Sequence, residues 1–140
     1  MSQRFDRPEL HLCGLCVRRP EPLSSVEAGR LHSRHFDRPV SEITREQMEV
    51  KPGDPPGWLD HVEQSILSTG VHWKAGLVAV GGRLEIAEGN HRAWLAHQHH
   101  RFLPALIFTP MCGDCTEATF IDMINGQTRT GGWLHHQQGF

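Results

Sequence analysis

The sequence contains no tyrosine and only two lysines, Lys51 and Lys74. The first absence removes one common nucleophile and base from the catalytic side chains available. The second leaves arginine as nearly the whole of the 14 basic residues, a side chain suited to paired contacts with phosphate. No stretch approaches the roughly 20 apolar residues that cross a bilayer, and the N-terminus lacks the apolar core of a signal peptide. The expectation is a cytoplasmic protein with no membrane partner. Charge of one sign is not in excess either, since 14 basic and 16 acidic residues give a net charge of −2. Tight non-specific nucleic-acid binding is therefore not expected from charge alone. What is present, 38% hydrophobic and 21% charged residues over 140 positions, suits one globular core with extensions.

The chain divides by composition into four parts. Residues 1–57 read as an N-terminal arm, irregular up to residue 23, with a Cys-x-x-Cys turn at Cys13 and Cys16 and a Pro/Gly-rich loop at 51–57. Within it, Ser24 with Glu27 and Thr44 with Gln47 are capping boxes for two short helices, the first interrupted by Gly29. Residues 58–108 carry the strongest periodicity. Leu59, Val62, Ile66 and Leu67 fall on one helix face that Gly70 stops. An apolar strand at 77–80, a Gly81-Gly82 hairpin and an alternating strand at 83–87 follow. A helix over 91–100 has Trp94 and Leu95 inward, and an apolar strand over 103–108 carries Pro104 near its start, which suggests an edge or an irregular entry. Residues 109–126 hold the turn of Cys112 and Cys115, then a helix capped by Thr116 and bearing Phe120. Residues 127–140 read as a flexible tail.

Chemistry concentrates where the alternating strand feeds the next helix, in Glu88-Gly89-Asn90-His91-Arg92. A first helical turn offers N–H groups and the positive end of the helix dipole, which together attract anions. Gly89 lets backbone approach a phosphate, and Asn90 and Arg92 are expected to help hold it, Arg92 facing the ligand rather than the core. Glu88 and His91 are the catalytic candidates, Glu88 for Mg²⁺ or a proton and His91 for phosphate donation or proton shuttling. A plain strand–helix turn with solvated polar groups is the bland alternative.

The order of these features resembles the ParB/sulfiredoxin superfamily. The resemblance rests on Ser65-Ile66 with Gly70, the strand pair over 77–89, the box Gly89-Asn90-His91-Arg92-Ala93, and Leu103-Pro104-Ala105-Leu106-Ile107. It implies a small α+β fold of helix, β-hairpin, helix and strand whose box binds nucleotide phosphates, with ATP, ADP or CTP as the ligand. Activities in the superfamily range over CTP-switched DNA clamps, sulfinic-acid reduction, free-serine kinases and proteins labelled nucleases. Asn90 stands where sulfiredoxins have their cysteine, so that chemistry is not expected. The 32 residues after Phe108 are too few for both the helix-turn-helix and dimerising parts of a partitioning clamp. Phosphotransfer or phosphodiester hydrolysis remains, with a non-catalytic nucleotide- or DNA-binding module as the alternative. A kinase-like member would need a further acid, for which Glu42, Glu46 and Glu49 are available.

The four cysteines form a second constellation. Cys13, Cys16, Cys112 and Cys115 make two Cys-x-x-Cys turns able to hold a structural Zn²⁺ as a clip between the chain ends. A dithiol redox pair at Cys112 and Cys115, or four plain thiols, are the other readings. His97, His99 and His100 lie near a helix C-terminus, where the dipole favours them over a metal role. The four tryptophans are read as core or cover, with Trp73 and Trp133 as candidates for lining a nucleotide pocket.

Overall fold

The computed structural model describes residues 16, 21–50, 55–110, 116 and 120. It is a mixed α/β fold with a six-stranded sheet. Strands β1 (Glu21–Leu23), β2 (His32–Ser33), β3 (Arg38–Pro39), β4 (Ala75–Val80), β5 (Arg83–Glu88) and β6 (Leu103–Phe108) lie in the order β1-β6-β4-β5-β2-β3. Helices α1 (Ser25–Arg30), α2 (Arg45–Glu49), α3 (Trp58–Thr69) and α4 (Asn90–Gln98) accompany it, with a 3₁₀ turn at Val40–Glu42. No helix among the described residues is long and apolar enough to cross a membrane.

Local chemistry accounts for most element ends. Both capping boxes form: Ser24 and Glu27 close α1, and Thr44 and Gln47 close α2, each side chain bonding the other's backbone. Gly81 and Gly82, with φ of 54° and 83°, make the two-residue turn between β4 and β5, whose positive φ values matched a Gly-Gly pair. Strand β6 is interior, contrary to the edge suggested by Pro104, because β1 covers its flank. Pro104 stands opposite Pro22 in the antiparallel register. Two facing prolines suit a non-hydrogen-bonded pair, in which neither nitrogen points into the ladder.

The main core draws on both halves of the chain. Residues 21–50, expected as an arm, contribute Leu23, Ala28, Leu31, Val40, Ile43 and Met48 to the same buried cluster as Ile66, Leu77, Leu95 and Ile107. They also supply the β2–β3 hairpin, which the sequence reading lacked. Val78 and Phe108, paired in register on the opposite sheet face, are buried outside that cluster together with Cys16 and Phe120. Phe120 stacks on Phe108 with ring centroids 5.1 Å apart, and its N–H donates to the Thr116 carbonyl as the expected cap requires.

Gly29, which looked like an interruption in α1, is a packing residue. A Cβ built there would lie 2.5 Å from the His97 ring of α4. That ring is fixed because Nδ1 donates to the Ser25 carbonyl at 2.9 Å. Replacing Gly29 by Ala gains about 1 kcal/mol of helix propensity, but overpacking a pinned ring costs about 1–3 kcal/mol. Gly29→Ala should lower the melting temperature, and adding His97→Ala should restore part of the loss; a stabilised single variant would show that the crossing has slack.

Two carboxylates are tied down by arginines. Glu63 on α3 accepts from Arg45 at 2.8 and 3.1 Å and from His99 at 2.7 Å. Glu85 on β5 accepts from Arg34 at 2.7 Å and Arg83 at 2.9 Å. The Arg45 bonds hold the Glu63 carboxyl below its ordinary value of 4.5, and the Arg34 bond does the same for Glu85. A depressed folded-state pKa contributes stability above the unfolded value and loses it as pH falls through the folded one. Thermal melts should therefore decline as pH drops below about 4.5, and Glu63→Gln or Glu85→Gln should each flatten that acid limb.

Candidate functional site

The box lies at the end of β5, and a bulge sets its approach. Leu77 pairs with Ile86 but Gly76 pairs with Glu88, so Ala87 is the extra residue on β5. Such a bulge re-aims the strand, here immediately before Gly89. Gly89 then takes φ 113°, a left-handed conformation, as the N-cap of α4. Its missing side chain also matters for space: a Cβ there would stand 3.1 Å from the Ala75 Cβ and 3.2 Å from the Ala75 Cα. Glycine thus meets both a backbone need and a close crossing of β4. The N-cap supplies no side-chain bond, and the first turn of α4 contains no acid, so its positive dipole end is not neutralised from within the helix.

Arg92 differs from expectation. Its side chain is 6% exposed and points back into the fold, with Nη1 donating to the Lys74 carbonyl at 3.0 Å. Nη2 lies 3.8 Å from Glu88 Oε1. Burial draws the guanidinium pKa down while Glu88 opposes the shift, and an arginine keeps its proton throughout. The position is the third of α4, and a long side chain in a first turn leans back toward the helix N-terminus. There it meets the start of β4 instead of solvent. Arg92 therefore brings a buried positive charge beneath Gly89, 3.4 Å from where a Cβ would be.

The other box residues divide by exposure. Glu88 is 42% exposed at its side chain, with Oε1 turned toward the Arg92 guanidinium. His91 is half-buried with its Nε2 shielded from solvent. Asn90 is half-buried, and its Oδ1 accepts from the Ser33 hydroxyl at 2.8 Å. Ser33 is fully buried and goes unnoticed in the sequence, where a lone Ser between His32 and Arg34 carries no motif.

The candidate auxiliary acids lie on the 3₁₀ turn (Glu42) and on α2 (Glu46 and Glu49). Glu42 and Glu46 are exposed, and Glu49 takes an ion pair from Arg45 at 3.4 Å. Arg45 in turn bonds Glu63, and Glu63 bonds His99, beyond the last residue of α4. That end is about 13 Å from Asn90 along a nine-residue helix. His97 and His99 make structural hydrogen bonds near the helix end. Trp94 is buried, with Nε1 donating to the Ile43 carbonyl at 2.8 Å, while Trp58 and Trp73 pack half-buried against the core. Cys13, Cys112, Cys115, the tail and Trp133 lie outside the described residues. Among the described residues no group of three or more His, Cys, Asp or Glu is arranged to hold a metal ion.

No protein-family profile matches the chain, and no curated protein matches it. Among solved structures it is similar to the C-terminally truncated chromosome-partitioning protein ParB from Caulobacter crescentus, complexed with CTP-gamma-S. The identity is 10% and the TM-score 0.48, over 80% of this chain and 53% of that one. The chain spans about half the length of that protein.

Proposed function

We propose that the chain binds the phosphates of a nucleotide at Gly89–Arg92, at the start of α4. The observation that carries this reading is the left-handed Gly89, packed against Ala75 at a helix N-terminus with no side-chain cap. Backbone N–H groups of a first turn, a helix dipole and a buried guanidinium are complementary to an anion. The resemblance of the box to ParB/sulfiredoxin sequences makes ATP, ADP and CTP the nucleotides to test, with DNA phosphate as the related alternative. Glu88, the exposed acid of the box, would serve Mg²⁺ or a proton in phosphotransfer or phosphodiester hydrolysis. The shielding of His91 Nε2 and the burial of Arg92 favour, as a second reading, a binding module without turnover.

Calorimetric titration with ATP, ADP, CTP and a short DNA duplex, each with and without Mg²⁺, tests the first reading. A ligand at tenfold excess over its Kd should add about 1.4 kcal/mol of stability. Binding by none of these probes refutes the phosphate site. Glu88→Gln separates the two readings, since it should abolish nucleotide consumption in an enzyme and change little in a binding module. Arg92→Ala should cost about 2 kcal/mol of stability besides weakening binding, because it leaves the Lys74 carbonyl without this donor. An Arg92→Ala protein that melts like the parent contradicts the buried role.

We further propose that Cys13, Cys16, Cys112 and Cys115 hold one structural Zn²⁺. The support comes from Cys16, which is buried and whose carbonyl accepts from the Thr109 N–H at 2.7 Å. Cys16 thus lies beside Thr109, with Cys13 three residues before the one in sequence and Cys112 three residues after the other. Four thiolates form a closed tetrahedral site that stabilises folding and leaves no position for a reacting water. Elemental analysis should find about one zinc per chain, lost together with several degrees of melting temperature in Cys13→Ser and Cys112→Ser. Metal-free protein with the same melting curve refutes the clip.

A further inference from the structure

The β2–β3 hairpin reaches the box through a buried polar contact. Ser33, with no exposed surface, donates from Oγ to Asn90 Oδ1 at 2.8 Å and accepts from the Phe36 N–H at 3.3 Å. We propose that Ser33 is a positioning residue for the phosphate site, holding the Asn90 carboxamide so that its amide N–H groups serve the anion. The inference rests on the phosphate-binding reading above and adds the residue that orients it.

The argument is one of hydrogen-bond direction. A hydroxyl has one donor, and Ser33 uses it on Asn90 while its oxygen takes the hairpin N–H. Asn90 Oδ1 is thereby turned toward Ser33, which directs the two N–H donors of the same carboxamide away from that hydroxyl. The bonds run one way, from the Phe36 N–H through the Ser33 hydroxyl to Asn90, and such a chain polarises each member in the same sense. An anion at the far end is the ligand that this polarity favours. The parallel pairing of β2 with β5, His32 with Glu85 and Ser33 with Ile86, brings Ser33 to the end of β5 where α4 begins. Arg34, the next residue, is anchored to Glu85, which fixes the hairpin against the strand that carries the box.

A double-mutant cycle on the full chain tests the proposal, read by calorimetry with CTP, ATP and inorganic pyrophosphate and by melting temperature. Ser33→Ala should weaken binding about tenfold. Asn90→Ala should weaken it by a similar factor, and adding Ser33→Ala to Asn90→Ala should cost nothing more, because Ser33 acts through Asn90. Equal losses from Ser33→Ala in both backgrounds, or none in the parent, overturn the proposal and leave the phosphate site standing. Asn90→Asp guards against a variant that fails to fold: a carboxylate still accepts from Ser33 and suits a helix N-terminus, so melting should hold or rise while anion binding disappears. Retained binding in Asn90→Asp overturns the positioning role. Failure of the parent to bind any of the three probes removes the phosphate reading and this inference together.

Discussion

Helix α4 is buried over five consecutive residues, Arg92 to Ala96, which is more than one full turn. A helix so enclosed has no solvent face over that stretch, so its polar groups must find partners in the fold. Each finds a different element: Asn90 meets the β2–β3 hairpin, Arg92 the entry to β4, Trp94 the residue after the 3₁₀ turn, His97 the start of α1, and His99 the middle of α3. Four contacts from one short helix and one from its C-cap, His99, fix its axis and its rotation. The position of Gly89 and of the first turn follows from that fixation. A site whose donors are backbone groups needs such rigidity, because it has few flexible side chains to adjust around a ligand.

The two faces of the sheet are covered in different ways. Leu77 and Ile107, register partners, join the main core, whereas the neighbouring partners Val78 and Phe108 look the other way. There Phe120 supplies the cover, by ring stacking on Phe108, and Cys16 is buried as well. Cys16 and Phe120, from either side of the sheet-forming segment in sequence, are thus both buried outside the main core.

The sequence was legible where local chemistry is sufficient. Reciprocal caps at Ser24 and Thr44, the Gly81-Gly82 turn, the stop at Gly70 and the apolar face of α3 at Leu59, Val62 and Ile66 are each decided within a few residues, and each formed, whereas Leu67, expected on that face, is exposed. Strands β1, β2 and β3 are two or three residues long, too short for a period-two pattern to register. Strands β1 and β2 depend on neighbours distant in sequence, β6 and β5, to complete their ladders, and β3 pairs with β2 at the sheet edge. Gly29 was misjudged for a related reason, since its value lies in the ring it admits from α4. Arg92 was expected at the surface because motif reasoning assigns a charge to a ligand. Its direction depends on where β4 begins, and that is a fact of tertiary structure.

Pairing between the beginning and end of the chain also sets an order of events. Glu21 pairs with Ala105, and the β2–β3 hairpin joins the sheet through β5, where Ser33 meets Ile86. During synthesis residues 21–50 must therefore wait, with Leu23, Leu31 and Ile43 uncovered, until β5, α4 and β6 have left the ribosome. The β4–β5 hairpin is the longest pairing closed by a local turn and can form before any of this, but loop closure over most of the chain follows it and slows assembly. In the interval the waiting segment displays apolar side chains and unpaired strand backbone, the features by which chaperones recognise an unfinished fold.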